Sequence, residues 1–193
     1  MGVGTVTAVV LLLFLGYFLF TVASTEKELD LYVALINSSS TEEKENKVIQ
    51  ALAGLLECES QDDIVLDSSY FIHLDGMDPG SQGAIQRLLT GRDSRKLDLL
   101  IAGEEEFHYL VKQGLFMDLA EALPTDVYSR LCDRIYLDAS EKASSEAKAY
   151  GIRLEGLRRF EQLGTGMESP VLGIAVNTKN QKNSVKALKY LTK

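Results

Sequence analysis

The stretch Leu97–Pro124, LDLLIAGEEEFHYLVKQGLFMDLAEALP, limits what this chain can become more than any other. A short apolar run, Leu97–Ala102, ends at Gly103 and gives way to Glu104, Glu105 and Glu106. Phe107, Leu110 and Val111 then recur at helical spacing until Gly114. The pattern predicts a buried strand, a tight turn, and a helix whose first turn sets carboxylates against its positive dipole end. Gly114 suits the left-handed position just past a helix. Leu115, Phe116 and Leu119 lead into a short segment that Pro124 ends.

The same alternation runs along the chain. Leu29–Ile36 reads as a first strand buried on both faces. Ser40 and Glu43 fit a capping box, and Val48, Ile49, Leu52, Leu55 and Leu56 form one helical stripe reaching about Glu59. A second strand falls within Ile64–Leu74. Asp78-Pro79 marks a helix start, Ala84, Ile85, Leu88 and Leu89 form its stripe, and Gly91 closes it. Leu97–Ala102 is the third strand. Strands alternating with helices predict parallel strands joined by right-handed crossovers. Thr125–Tyr136 is expected as a further helix with Val127, Leu131 and Ile135 on one face. Ser140–Lys148 is polar and Ala/Ser-rich, a loop or a loose helical turn, and Tyr150, Ile152 and Leu154 alternate with charged residues as in an exposed strand. Val171–Val176 is the last strand and Asn180–Lys193 the last helix, with Val185, Leu188 and Leu191 inward.

"Strand, acidic turn, helix, GLFMDL" at Leu97–Leu119 resembles a segment in the first lobe of bacterial extracellular solute-binding proteins, the type II periplasmic-binding-protein fold. "YGIRL" and the later "VLGIAVNTKN…SVKALKYL" are similar to the same family, so the likeness covers most of Asp30–Lys193. It implies an α/β fold: a three-layer domain over residues 26–193 with a mostly parallel sheet, amounting to one lobe. Two-lobed members close around a solute. One lobe offers only the crevice at the carboxyl ends of its strands. The resemblance also implies an exported domain, with an ABC permease or another membrane protein as partner.

Residues 1–25 carry no charged side chain, so all 28 acids, all 20 bases and the net charge of −8 belong to residues 26–193. The 21-residue run Val3–Ala23, with Val6, Leu13, Phe14, Phe18 and Phe20 among its apolar residues, spans about 31 Å as a helix, enough for a ~30 Å hydrocarbon core. It reads as a transmembrane anchor through the lipid bilayer, with the C-terminal domain on the extracellular side of the cell membrane. Thr21-Val22-Ala23 also resembles a cleavage site, which would make the run a signal peptide and the protein secreted. The apolar run exceeds the ~7–15 residues usual for a signal peptide, and no basic segment precedes it, so the retained anchor is preferred.

The acidic balance repels phosphate backbones, and no nucleic acid partner is expected. Cys58 and Cys132 form one disulfide or stay as two unpaired residues on helical segments; the second reading is preferred. With two isolated histidines, no metal site is expected, and no cofactor motif is present. No nucleophile elbow, Walker loop or HExxH occurs, so no catalytic residue is assigned and an enzyme is not expected.

Candidate ligand-binding residues are those that end strands: Asn37, Ser38 and Ser39 after the first, Gly103 and Glu104 after the third. Hydroxyls and helix N-terminal amides suit polar groups of a small-molecule ligand, although Glu104–Glu106 disfavour an anion there. The bland alternative is that these residues are turns and caps. Lys179, Lys182, Lys186, Lys189 and Lys193 fall on one helical face, as a solvated surface or a contact for anionic headgroups or an acidic partner. The chain is thus expected to be a membrane-anchored binding module for a small polar ligand or a membrane partner, or else a structural assembly subunit without ligand binding.

Overall fold

Strand β1, Leu31–Ile36, sends Leu31, Val33 and Leu35 to one face of the sheet and Ala34 and Ile36 to the other, and all five are buried. A strand buried on both sides needs a layer on each side. The computed structural model, which describes residues 28–139 and 147–193, supplies both. After β1 come α1 (Glu42–Leu56), β2 (Ile64–Tyr70), α2 (Pro79–Asp93), β3 (Leu99–Gly103) and α3 (Glu104–Lys112). Short helices α4 (Leu119–Ala122) and α5 (Thr125–Arg130) lead to β4 (Ile135–Asp138) and β5 (Lys148–Arg153). The chain ends through α6 (Arg158–Glu161), β6 (Pro170–Ile174) and α7 (Gln181–Leu191).

The six described strands form one sheet in the order β2-β1-β3-β6-β5-β4. Helices α1, α4, α5 and α7 cover one face and α2 and α3 the other, so the domain has three layers. The mixed α/β class expected from the alternation is what is found. Strands β1, β2, β3 and β5 point the same way, while β6 and β4 run against them. Parallel pairing is confined to β2-β1-β3; β6 enters between β3 and β5 and pairs antiparallel with both. The crossover rule therefore describes only the first half, because β4 pairs antiparallel with β5, and β5 with β6.

Several local expectations are corrected. Ser40 does not cap α1: Thr41 occupies that position without a side-chain cap, and the Ser40 hydroxyl instead donates to Leu163 O at 2.7 Å. Helix α1 stops at Leu56 because Glu57 turns left-handed (φ 62°), short of Glu59. Helix α2 passes through Gly91 and ends at Asp93, where Arg95 (φ 60°) supplies the reversal. Its start is as expected, with Asp78 Oδ1 accepting from the Gly80 and Ser81 amides. Gly114 (φ 68°) follows α3 as expected.

The predicted Thr125–Tyr136 helix breaks at Arg130, passes through a 3-10 turn at Cys132–Arg134, and becomes β4. β5 is an interior strand, not an exposed one, because β4 covers its outer edge and Ala149, Tyr150, Gly151 and Ile152 are all buried. Gly151 permits that packing: a Cβ there would lie 2.5 Å from Val171 Cγ1 and 2.8 Å from Phe107 Cζ. Val185 is only partly buried on α7, whose inward face is Ser184, Ala187, Leu188 and Leu191. Residues 140–146 of the expected loop lie outside the described residues, and Lys148 already belongs to β5.

Candidate functional site

From β1 the chain moves to β2 on one side and then, across β1, to β3 on the other. Such a reversal of winding leaves a crevice outside the carboxyl ends of β1 and β3, where ligands of open α/β sheets bind. Asn37, Ser38 and Ser39 leave β1 there, and Gly103 and Glu104 leave β3. The expected residues therefore share one edge of the sheet, but not as an open set.

Asn37 is occupied by its own fold. In a left-handed conformation (φ 53°), its amide nitrogen donates to Ile72 O at 2.8 Å and to Glu106 Oε1 at 3.0 Å. Its Oδ1 accepts from the Ile72 amide at 2.8 Å. It is a staple between β1, the end of β2 and α3. Ser38 is buried and accepts from the Ser40 amide.

Ser39 donates to Thr165 O through both its amide (2.7 Å) and its hydroxyl (2.9 Å). With the Ser40 bond to Leu163, these contacts hold the segment Leu163–Ser169 across the switch point. Gly166 (φ 68°) lets that strap lie close, since a Cβ there would come within 2.5 Å of Ser39 Oγ. Gly103 lies under its far end, where a Cβ would meet Glu106 Oε2 at 2.7 Å and Glu168 O at 3.4 Å.

Glu104 takes a bidentate ion pair from Arg153 at the end of β5, the second bond being 3.0 Å. The guanidinium's hydrogen bonds hold the Glu104 carboxyl below the usual range, outweighing partial burial, and Arg153 is raised in turn. Arg153 also lies over the Tyr136 ring, 5.1 Å from its centroid. Burial first, then the neighbouring Asp138 carboxylate, push the Tyr136 phenol up. It therefore stays protonated and donates to Asp138 Oδ2 at 3.1 Å. His108 Nδ1 lies 2.5 Å from the same oxygen, one helical turn below Glu104. A histidine oriented by a buried carboxylate is half of an acid–base unit. Here the adjacent hydroxyl already faces that carboxylate, and the row ties α3 to the β4 edge.

Beside the strap, a groove of about 470 Å³ opens between the turn after β5 and the approach to β6. Phe160, Met167 and Pro170 supply apolar lining, and Glu155, Glu161 and Glu168 bring three carboxylates to it. Its volume falls within the ~300–1,000 Å³ usual for small-molecule pockets. None of the five candidate residues lines this groove. The sequence offered no signal for it beyond the paired glycines Gly164 and Gly166, which pattern alone cannot place on the sheet edge.

Among the described residues, no group of three His, Cys, Asp or Glu side chains is placed to hold a metal ion. Both cysteines are free thiols. No helix among the described residues is long and apolar enough to cross a membrane. The expected anchor residues Val6, Leu13, Phe14, Phe18 and Phe20 lie outside the described residues. Comparison with protein-family models, with curated proteins and with solved structures returns no match.

Proposed function

We propose that this chain is a membrane-anchored, non-enzymatic binding module at the outer face of a cell membrane, similar to one lobe of an ABC-transporter solute-binding protein. Its ligand is a small cation with an apolar portion, held in the groove beside the strap, and a membrane protein such as an ABC permease is its partner. One observation carries the ligand class: Glu155, Glu161 and Glu168 meet Phe160, Met167 and Pro170 around about 470 Å³. Carboxylates together with apolar lining suit an ammonium group on a short hydrocarbon, and repel anions. The reading moves the site away from Asn37, Ser38 and Ser39, whose polar groups serve the strap and the strand ends.

Thermal denaturation of the full chain with putrescine, arginine and succinate tests it. Saturable stabilisation by either amine, absent with succinate and lost in Glu168→Gln, is the expected result. No shift with any amine overturns the cationic-ligand reading.

The second reading, an assembly subunit without a ligand, is favoured by the strap, which occupies the switch-point crevice. Against it, the most exposed large apolar side chains described, Phe71 and Leu137, lie at opposite edges of the sheet and do not make a common docking patch.

A further inference from the structure

The C-terminal helix and the start of the domain are tied together. Asn180 Nδ2 donates to Leu29 O at 2.9 Å, Asn183 Nδ2 donates to Asp30 O at 3.0 Å, and Lys179 Nζ lies 3.6 Å from Glu28. The first turn of α7 therefore grips the point where the chain arrives from Val3–Ala23. Five residues, Ser24 to Glu28, intervene between that apolar run and Leu29. Fully extended, they reach about 17 Å at ~3.3–3.6 Å each. Charge attraction to a surface fades over a Debye length of about 10 Å at ordinary salt. A tether this short lets the first turn of α7 come within that length of a bilayer.

That charge is organised. Residues 177–193 hold five lysines and no acid, while the remaining chain is net acidic. Lys182, Lys186 and Lys189 are exposed and fall within an arc of about 60° at ~100° per residue, and Lys193 is exposed just past the helix end. The opposite arc of the helix is its buried face of Ser184, Ala187, Leu188 and Leu191.

Arg158 and Arg159 of α6 extend the positive surface, Arg159 lying 4.9 Å over the Tyr190 ring. The acids at this end lie off α7: Glu28 faces Lys179, and Asp30 and Asp63 flank Cys58 past the end of α1. The acidic first turn of α1, Glu42 to Glu45, lies at the carboxyl edge of the sheet, away from the tethered end.

We infer that the lysine face of α7 lies against anionic lipid headgroups, so that the domain rests on its side with the groove edge open to solvent. This rests on the membrane-anchored reading above. Two independent facts carry it, the hydrogen-bonded junction between α7 and the tether and the acid-free basic face beside it.

The full chain is reconstituted into liposomes of phosphatidylcholine alone or mixed with phosphatidylglycerol. A fluorophore is placed by Lys186→Cys on α7, or by Gln86→Cys on the opposite layer, in a Cys58→Ser, Cys132→Ser background. The expected result is loss of fluorescence to a headgroup-attached quencher at position 186 only, in phosphatidylglycerol liposomes only, and reversed by salt or by Lys182→Glu with Lys189→Glu. Equal quenching at both positions, or no dependence on phosphatidylglycerol, overturns the inference while leaving the anchor intact. Shielding of position 186 by a co-purifying acidic protein also overturns it, in favour of a protein partner. Failure of the chain to float with either liposome overturns the anchored reading and this inference together.

Discussion

The Thr178 hydroxyl donates to Asp98 Oδ1 across the amino edge of the sheet, joining the start of β3 to the segment that leads into α7. Asp98 is 1% exposed, and its other oxygen accepts from the Tyr32 amide at 2.8 Å and from Asn180 Nδ2 at 3.2 Å. Burial pushes its carboxyl above the ordinary value, and the hydrogen bonds from Thr178, Tyr32 and Asn180 only partly offset that.

Asp98→Ala leaves three donors without their acceptor and is expected to lower stability by about 2–3 kcal/mol in urea unfolding at neutral pH. Asp98→Asn behaves differently. A raised folded-state value means the native protein holds the proton more firmly than the unfolded chain. This group's contribution is thus fully present below its unfolded value and is lost as pH rises through its folded value. Relative to Asp98→Asn, the wild type is expected to lose stability between acid and neutral pH. A constant difference across that range would refute the assignment.

Gly151 and Gly173 face the stacked rings of Phe107 and Phe116, whose centroids are 4.2 Å apart. A Cβ at Gly173 would lie 2.5 Å from Phe116 Cδ1. Gly151→Ala and Gly173→Ala are each expected to destabilise by about 1–3 kcal/mol through overpacking. Gly54→Ala, where nothing lies within 4 Å, serves as the control. Chemical denaturation midpoints of the three variants decide it.

Glu104 and Arg153 are each about two-fifths exposed, so solvent screens their pair. Glu104→Gln is expected to cost no more than about 1 kcal/mol. Because the Glu104 carboxyl is lowered in the folded state, its contribution is present above the unfolded value and disappears as pH falls through the folded one. Melting curves of wild type and Glu104→Gln should therefore converge on acidification and separate at neutral pH.

The Cys58 thiol is pushed up to about 11, by burial and then by Asp30 and Asp63, whereas Cys132 is exposed. Alkylation requires the thiolate. Iodoacetamide at mildly alkaline pH is expected to modify Cys132 well before Cys58, read by intact-mass and peptide analysis. Faster labelling of Cys58 would contradict the half-buried, acid-flanked environment.

The legible parts of this fold are those written in neighbouring residues. Leu97–Gly114 reads as strand, turn and helix because its apolar spacing changes period at Gly103 and stops at a glycine suited to reversal. Asp78-Pro79 reads as a helix start because cap and proline are adjacent. β4 escapes such reading because Val127, Leu131 and Ile135 share helical spacing, while Ile135-Tyr136-Leu137-Asp138 is too short to declare a strand. β5 reads as exposed because nothing in its own residues reports that β4 covers its outer edge.

The antiparallel entry of β6 depends on which edge it joins, and apolar pattern does not encode that choice. The candidate site divides the same way. Strand order brings the strand-end residues to one edge of the sheet, whereas Glu104 and Arg153, 49 residues apart, meet only in three dimensions. The groove is built from turns whose sequence carries no period.

Strand β1 is flanked by β2 and β3, and the chain leading from the apolar run enters at its first residue. A pull transmitted along that lead would load both neighbouring ladders in shear while also straining the Asn180 and Asn183 clasps. Bonds stressed side by side must yield together, whereas an edge strand peels away one rung at a time. The architecture consequently sets two ladders at once against any load applied at the first residue of β1.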